Sequence, residues 1–179
     1  MKLENVQVYG LEESMKACGF PMLKEDVSEE RAKRLASCSI GSGHDCFLKG
    51  ISVHADITAP QYWWLQWQRY HFCDIVSSQS KMHRITKMNL DKQSGPLVTP
   101  QAKKALQEVI DFYNNNECSF DMVLSNVPMG LELKARVTTN YLQLKSQYFQ
   151  RNDHKSREWR EYCDWILKLP DFKELVLDD

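Results

Sequence analysis

Apolar and polar positions alternate at two places in the first third of the chain. Residues 3 to 9 (LENVQVY) carry a short pattern of period two, and Ile51, Val53, Ala55 and Ile57 interleave with Ser52, His54 and Asp56 over a cleaner one. A period of two puts successive side chains on opposite faces of a sheet, so both stretches predict strands. Helical spacing governs most of the rest. Leu11 to Cys18 predicts a helix closed by Gly19, and KEDVSEERAKRLASC a second, entered through Asp26 or Ser28, with a solvated charged face. Thr58 and Gln61 have the spacing of a capping box, and Pro60 would sit in the first turn, where its missing N–H costs nothing; a long helix is expected from near residue 59. LDKQSGPLVTP reads as a loop. Thr99-Pro100 then opens a helix through Leu106, Val109, Ile110 and Tyr113 that stops at Asn114 to Asn116, and residues 119 to 125 are briefly helical before Val127-Pro128. Helical spacing returns from Thr139 to about residue 152, and again from Ser156 to Leu169, where Trp159, Cys163 and Ile166 share a side. These elements predict an α/β (α+β) fold, a mostly helical single domain over residues 1–179 with a small central sheet.

With 42% hydrophobic residues, 7 Gly and 6 Pro in 179 residues, the chain can fill one core, and disorder is excluded as its main state. Lys and Arg number 23 against 24 Asp and Glu, a net charge of −1, which argues against a nucleic-acid binder that works by charge alone. No apolar run of about 18 residues is present, and the start MKLENVQVYG lacks a signal-like stretch, so a soluble cytoplasmic protein is expected. The six cysteines (Cys18, Cys38, Cys46, Cys73, Cys118, Cys163) form no C-x-x-C and are expected as free thiols. His44-Asp45-Cys46, with His54 and Asp56, fits no standard zinc spacing; His54 and Asp56 on one strand face read more simply as a hydrogen-bonded pair. Neither a G-x-S-x-G nucleophile nor a Walker or G-x-G-x-x-G loop is found.

The chemistry concentrates after residue 60. Projected as one helix, QYWWLQWQRYHFCDIVSSQ is apolar on nearly every side and should be buried, yet it carries Gln66 and Arg69 one turn apart. A buried Arg needs a partner, either a protein carboxylate or a bound anion, and the residue pattern leaves both open. The following SSQSKMHRITK gathers Ser77, Ser78, Ser80, Lys81, His83, Arg84 and Lys87, groups that suit an anionic ligand or a solvated surface. Asn140, Leu144, Gln147 and Arg151 form one stripe of a later helix, facing either water or a site.

The order of these features resembles the flavin-dependent thymidylate synthases. Gly43-His44-Asp45, a strand, a Pro-started helix carrying Gln66-x-x-Arg69 and a Ser-rich stretch match from about Gly43 to Ser78. The match resumes at Val127-Pro128 and Thr139-Asn140, and includes Arg151 and the stretch His154 to Trp159; roughly half the chain is covered. The resemblance implies an enzyme that transfers a one-carbon unit from methylenetetrahydrofolate to C5 of dUMP or a related pyrimidine deoxynucleotide. Reduction by an FAD recharged by NADPH would complete the methyl, with no protein nucleophile. It places His44, Arg69, His71 and Asn140 against FAD and Gln66, Ser80, Lys81 and Arg151 against the nucleotide, and implies a homotetramer with active sites where subunits meet.

The chain departs from the family pattern at defined positions. The Arg-His-Arg signature reads Arg69-Tyr70-His71; its Ser-x-Arg is replaced by Gln79-x-Lys81 or Ser80-x-Met82, and the Ala-Arg before Leu-Pro by Val123-Leu124. Two other readings therefore stand beside the enzyme: a non-catalytic nucleotide-binding or interaction protein on the same scaffold, and a plain helical scaffold whose Arg69 is paired internally.

Overall fold

The computed structural model describes residues 1–25 and 27–177. Asp26, one of the two expected helix entries, lies outside them. Four strands form one antiparallel sheet: β1 (Lys2–Tyr9), β2 (Ser52–Pro60), β3 (Asp74–Ser78) and β4 (Glu132–Asn140), in the order β1-β2-β4-β3. β2 and β4 are its centre, paired without a break from Ser52↔Asn140 to Pro60↔Glu132. Val53, Ala55, Ile57 and Ala59 of β2 and Ala135 and Val137 of β4 point into the main core. On the opposite face Asp56 meets Lys134 and Arg136 at 3.2 Å each and the Asn5 amide at 2.8 Å.

Helices cover the apolar face. Along the chain they are α1 (Leu11–Ala17), α2 (Glu29–Ala36), α3 (Gln61–Trp67), α4 (Lys81–Arg84), α5 (Leu90–Gln93), α6 (Pro100–Asn114), α7 (Phe120–Ser125), α8 (Tyr141–Arg151), α9 (Arg157–Ile166) and α10 (Phe172–Val176). Local chemistry fixes most starts: the side chains of Ser28, Thr99, Ser119 and Asn140 each accept the backbone N–H three residues on, at the heads of α2, α6, α7 and α8. α5 falls inside the stretch expected as loop, capped by Asn89. A second, smaller apolar cluster joins α5, α6 and α7 through Leu90, Leu106, Ile110 and Val123. Among the described residues no helix is long and apolar enough to cross a membrane, and the six cysteines are free thiols.

Three expectations are corrected. The long helix from residue 59 is only α3: Thr58 stays in β2, paired with Lys134, and the capping box does not form because Gln61 turns its amide to the Pro128 carbonyl (3.0 Å). The chain leaves the helix after Trp67, reverses through Phe72 in a left-handed conformation (φ 53), and runs back as β3 against β4. Ile75 and Val76, read as helical, are β-branched residues of β3; Ile75 pairs with Val137, and Val76 sits at the register shift before Ser77. Arg69 consequently lies exposed rather than buried. Thr139, read as the start of a helix, lies within β4, a strand not expected from the sequence pattern, which runs on to Asn140; α8 begins at Tyr141.

Candidate functional site

The geometry starts from a plate of aromatic rings. Trp63 and Trp67 of α3 pack on α9, with Trp63 5.2 Å from both Trp159 and Tyr162 by ring centroids, and Trp67 Nε1 donating to the Tyr162 hydroxyl at 3.2 Å. All four side chains are buried. The plate holds Trp159 rigidly, and Trp159 organises the polar groups beside it. Its Nε1 donates to Gln66 Oε1 (2.9 Å), and its ring carries the Arg151 guanidinium 4.8 Å from the centroid. Arg151 Nε donates to the Tyr70 hydroxyl (2.8 Å), which in turn donates to Gln150 Oε1 (3.2 Å).

Gln66, Arg69, Tyr70, Gln150 and Arg151 line one cavity of about 430 Å³. Neither Arg69 nor Arg151 pairs with a carboxylate among the described residues. An internal Arg69 ion pair is thereby excluded among those residues. Two guanidinium groups facing one space without an acidic partner form a donor set matched to phosphate, and Arg151 keeps its terminal fork for that use.

Ser80 and Lys81 lie elsewhere. They line a cavity of about 510 Å³ with Gln61, Trp64 and Leu65 of α3 and Leu133 of β4. Ser80 caps α4, and Lys81 Nζ donates to Gln61 Oε1. α3 thus turns Gln66 toward one cavity and Gln61, Trp64 and Leu65 toward another. Asn140 lines a third, of about 330 Å³, with Lys49, Phe72, Leu142 and Gln143, while its Oδ1 accepts from Gln143 N at 3.0 Å. His44 and His71 are exposed and line none of these. Of the eight residues named from the sequence, one chain brings together Gln66, Arg69 and Arg151, pairs Ser80 with Lys81, and leaves His44, His71 and Asn140 apart.

The expected His54–Asp56 pair does not form. His54 Nε2 faces Thr138 Oγ1 (3.4 Å), and Asp56 is taken by Asn5, Lys134 and Arg136, which hold its carboxyl below the usual range. Asp45 is buried against Lys145. The groups that sequence reasoning missed are Tyr70 and Gln150 in the Arg cavity and the Lys145–Asp45 pair; no spacing rule links residues so far apart. Glu158, which precedes Trp159 in α9 and lines a separate cavity with Tyr62, is also a new feature. Burial alone would raise its carboxyl, but the hydroxyls of Tyr62 and Ser156, each donating at 2.7 Å, outweigh that and hold it below its ordinary value. His154, bordering the same ring, is shifted down by burial and by Arg151, Lys155 and Arg160.

No family model matches the chain, and no curated protein matches it in sequence. Solved structures do. A crystal structure of the flavin-dependent thymidylate synthase ThyX from Helicobacter pylori, complexed with FAD and dUMP, matches with a TM-score of 0.80 at 12% identity, over 100% of this chain and 99% of that one. A second structure of the Helicobacter pylori protein with FAD and dUMP gives 0.78 at 13% identity, over 100% and 98%. From end to end, this chain has the fold of the flavin-dependent thymidylate synthases.

Proposed function

We propose that the protein is a divergent FAD-dependent, thymidylate synthase-like enzyme that transfers a one-carbon unit from methylenetetrahydrofolate to C5 of dUMP or a related pyrimidine deoxynucleotide. The observation that carries this reading is the carboxylate-free pair Arg69 and Arg151, sharing one cavity with Gln66 on this fold. FAD and dUMP both bring phosphates, and this donor set fits them. When bound, the flavin supplies the redox and one-carbon chemistry, with NADPH as reductant. The protein's own residues bind and orient. Arg151, held flat on Trp159, neutralises the nucleotide phosphate, and Gln66, fixed through its Oε1 by Trp159, has its amide N–H₂ left to direct at the pyrimidine edge. Arg69 takes the cofactor's phosphates, with His44, His71 and Asn140 as further cofactor contacts. Ser80 and Lys81 complete the nucleotide site.

One chain does not assemble these groups in a single cavity, because Lys81 and Arg151 lie in different ones. A homotetramer with shared sites resolves this. Leu65 on α3, Phe72 in the turn after it and Val76 on β3, at 58%, 71% and 62% exposure, supply apolar surface for such contacts.

A second reading, a nucleotide-binding protein without turnover, is favoured by the partners already made within the site: Tyr70, in the signature's central position, is bonded to Arg151 and Gln150, and Lys81 is bonded to Gln61. Tritium release from 5-tritiated dUMP, with methylenetetrahydrofolate, NADPH and FAD present, separates the two. Release that depends on all three additions is the expected result; nucleotide binding without any release establishes the second reading.

A further inference from the structure

The most deeply buried ion pair among the described residues belongs to none of these cavities. Lys145 of α8 and Asp45 are 1% and 2% exposed. Lys145 Nζ donates to Asp45 Oδ2 at 2.7 Å, to the Ala36 carbonyl at 2.6 Å and to the Cys38 carbonyl, so all three ammonium protons are used. The three acceptors bracket one short segment, residues 39 to 44: Ala36 and Cys38 stand at its entry and Asp45 at its exit.

Between those pins the segment is held by local turns: Ser42 N donates to the Ser39 carbonyl at 3.1 Å, His44 N to Ser42 Oγ at 3.4 Å and Cys46 N to the Gly43 carbonyl at 3.4 Å. Gly41 and Gly43 are left-handed, at φ 88 and 81, and a Cβ on either would touch nothing within 4 Å. The base is therefore fixed, while residues 39 to 44, ending in His44, are all exposed. A buried ion pair is a poor device for stability, since apolar residues of similar volume serve as well. What it adds is directional geometry: one ammonium fixes the two ends of a loop relative to α8, whose last residue is Arg151.

We propose that Lys145 is a positioning residue, clamping the 39–44 loop through Asp45, Ala36 and Cys38 so that His44 is presented to the flavin. This rests on the reading of His44 as a cofactor contact. The test is a double-mutant cycle on the full chain, with FAD affinity read by quenching of flavin fluorescence. The cycle compares wild type, His44→Ala, the neutral clamp Asp45→Asn with Lys145→Gln, and all three changes together. A clamp variant with wild-type circular dichroism should bind FAD about tenfold more weakly, and His44→Ala, costly in the wild type, should cost less than about twofold on top of it. Unchanged affinity in the clamp variant, or losses that simply multiply, overturns the proposal while leaving the cofactor assignment standing. If His44→Ala has no effect in the wild type, the assignment of His44 falls and the clamp proposal with it. Should the neutral clamp not fold, Asp45→Leu with Lys145→Met enters the same cycle; failure of both makes the pair a requirement of the fold and overturns the proposal.

Discussion

Arg151 shows how much of the candidate site one residue concentrates. It is held by Tyr70 and stacked on Trp159, yet its terminal nitrogens form no ion pair among the described residues. Arg151→Ala should weaken dUMP binding by about 1.5–3 kcal/mol, roughly ten- to a hundredfold, with FAD retained, as isothermal titration would show. Arg69→Ala should do the reverse and abolish flavin retention on gel filtration; wild-type flavin affinity in that variant would refute the cofactor role of Arg69. The thiols give an independent check on the packing. Burial pushes Cys73 up to about 11 and Cys163 to about 12, while Cys46 is exposed. At pH 7 the native protein should label quickly at Cys46 and not at Cys73 or Cys163, all three reacting once the chain is unfolded.

At the scale of elements, the decisive pieces are β4 and the start of α8. Asn140 has two possible duties on one side chain: its Oδ1 caps α8, and its amide nitrogen remains for a ligand. Asn140→Asp keeps the cap and Asn140→Ala removes it, so only Ala should lose stability, by about 1 kcal/mol in urea denaturation. Both should lose flavin affinity if the nitrogen meets the cofactor. Ile57, fully buried at the sheet centre, should cost about 2–5 kcal/mol as Ile57→Ala.

The same elements show what the sequence made legible. The caps Ser28 and Thr99 and the alternation from Ile51 to Ile57 were readable because their signals are local. β4 was not: its inward positions are Ala135, Val137 and Thr139, too small or polar to stand out against Lys134, Arg136 and Thr138. β3 was hidden by an apolar run continuous with α3, and only the partner strand β4 decides its form. In the site, Gln66 and Arg69 were legible through family resemblance and Arg151 through the same order of motifs. Gln66 and Arg151 converge on Trp159, which no spacing between them encodes.

For the whole molecule, pH and assembly are the accessible variables. Glu158 is held below its ordinary 4.5 by its hydroxyl donors, so its folded carboxylate binds protons less readily than the unfolded one. The stability it contributes is therefore present above about pH 4.5 and lost as pH falls through the lowered folded value; a Glu158→Gln variant should show a flatter loss of thermal stability in that acid window. In sedimentation equilibrium the protein should run as a tetramer, and Val76→Glu on the exposed part of β3 should dissociate it and abolish nucleotide binding together.

The proposed function requires this fold to hold a flavin and a pyrimidine nucleotide in contact. The visible absorbance spectrum of the purified protein, before and after adding FAD and then during a dUMP titration, tests it most directly. The expected result is a bound oxidised-flavin spectrum that shifts saturably with dUMP. A protein that takes up no flavin even with FAD in excess would contradict it.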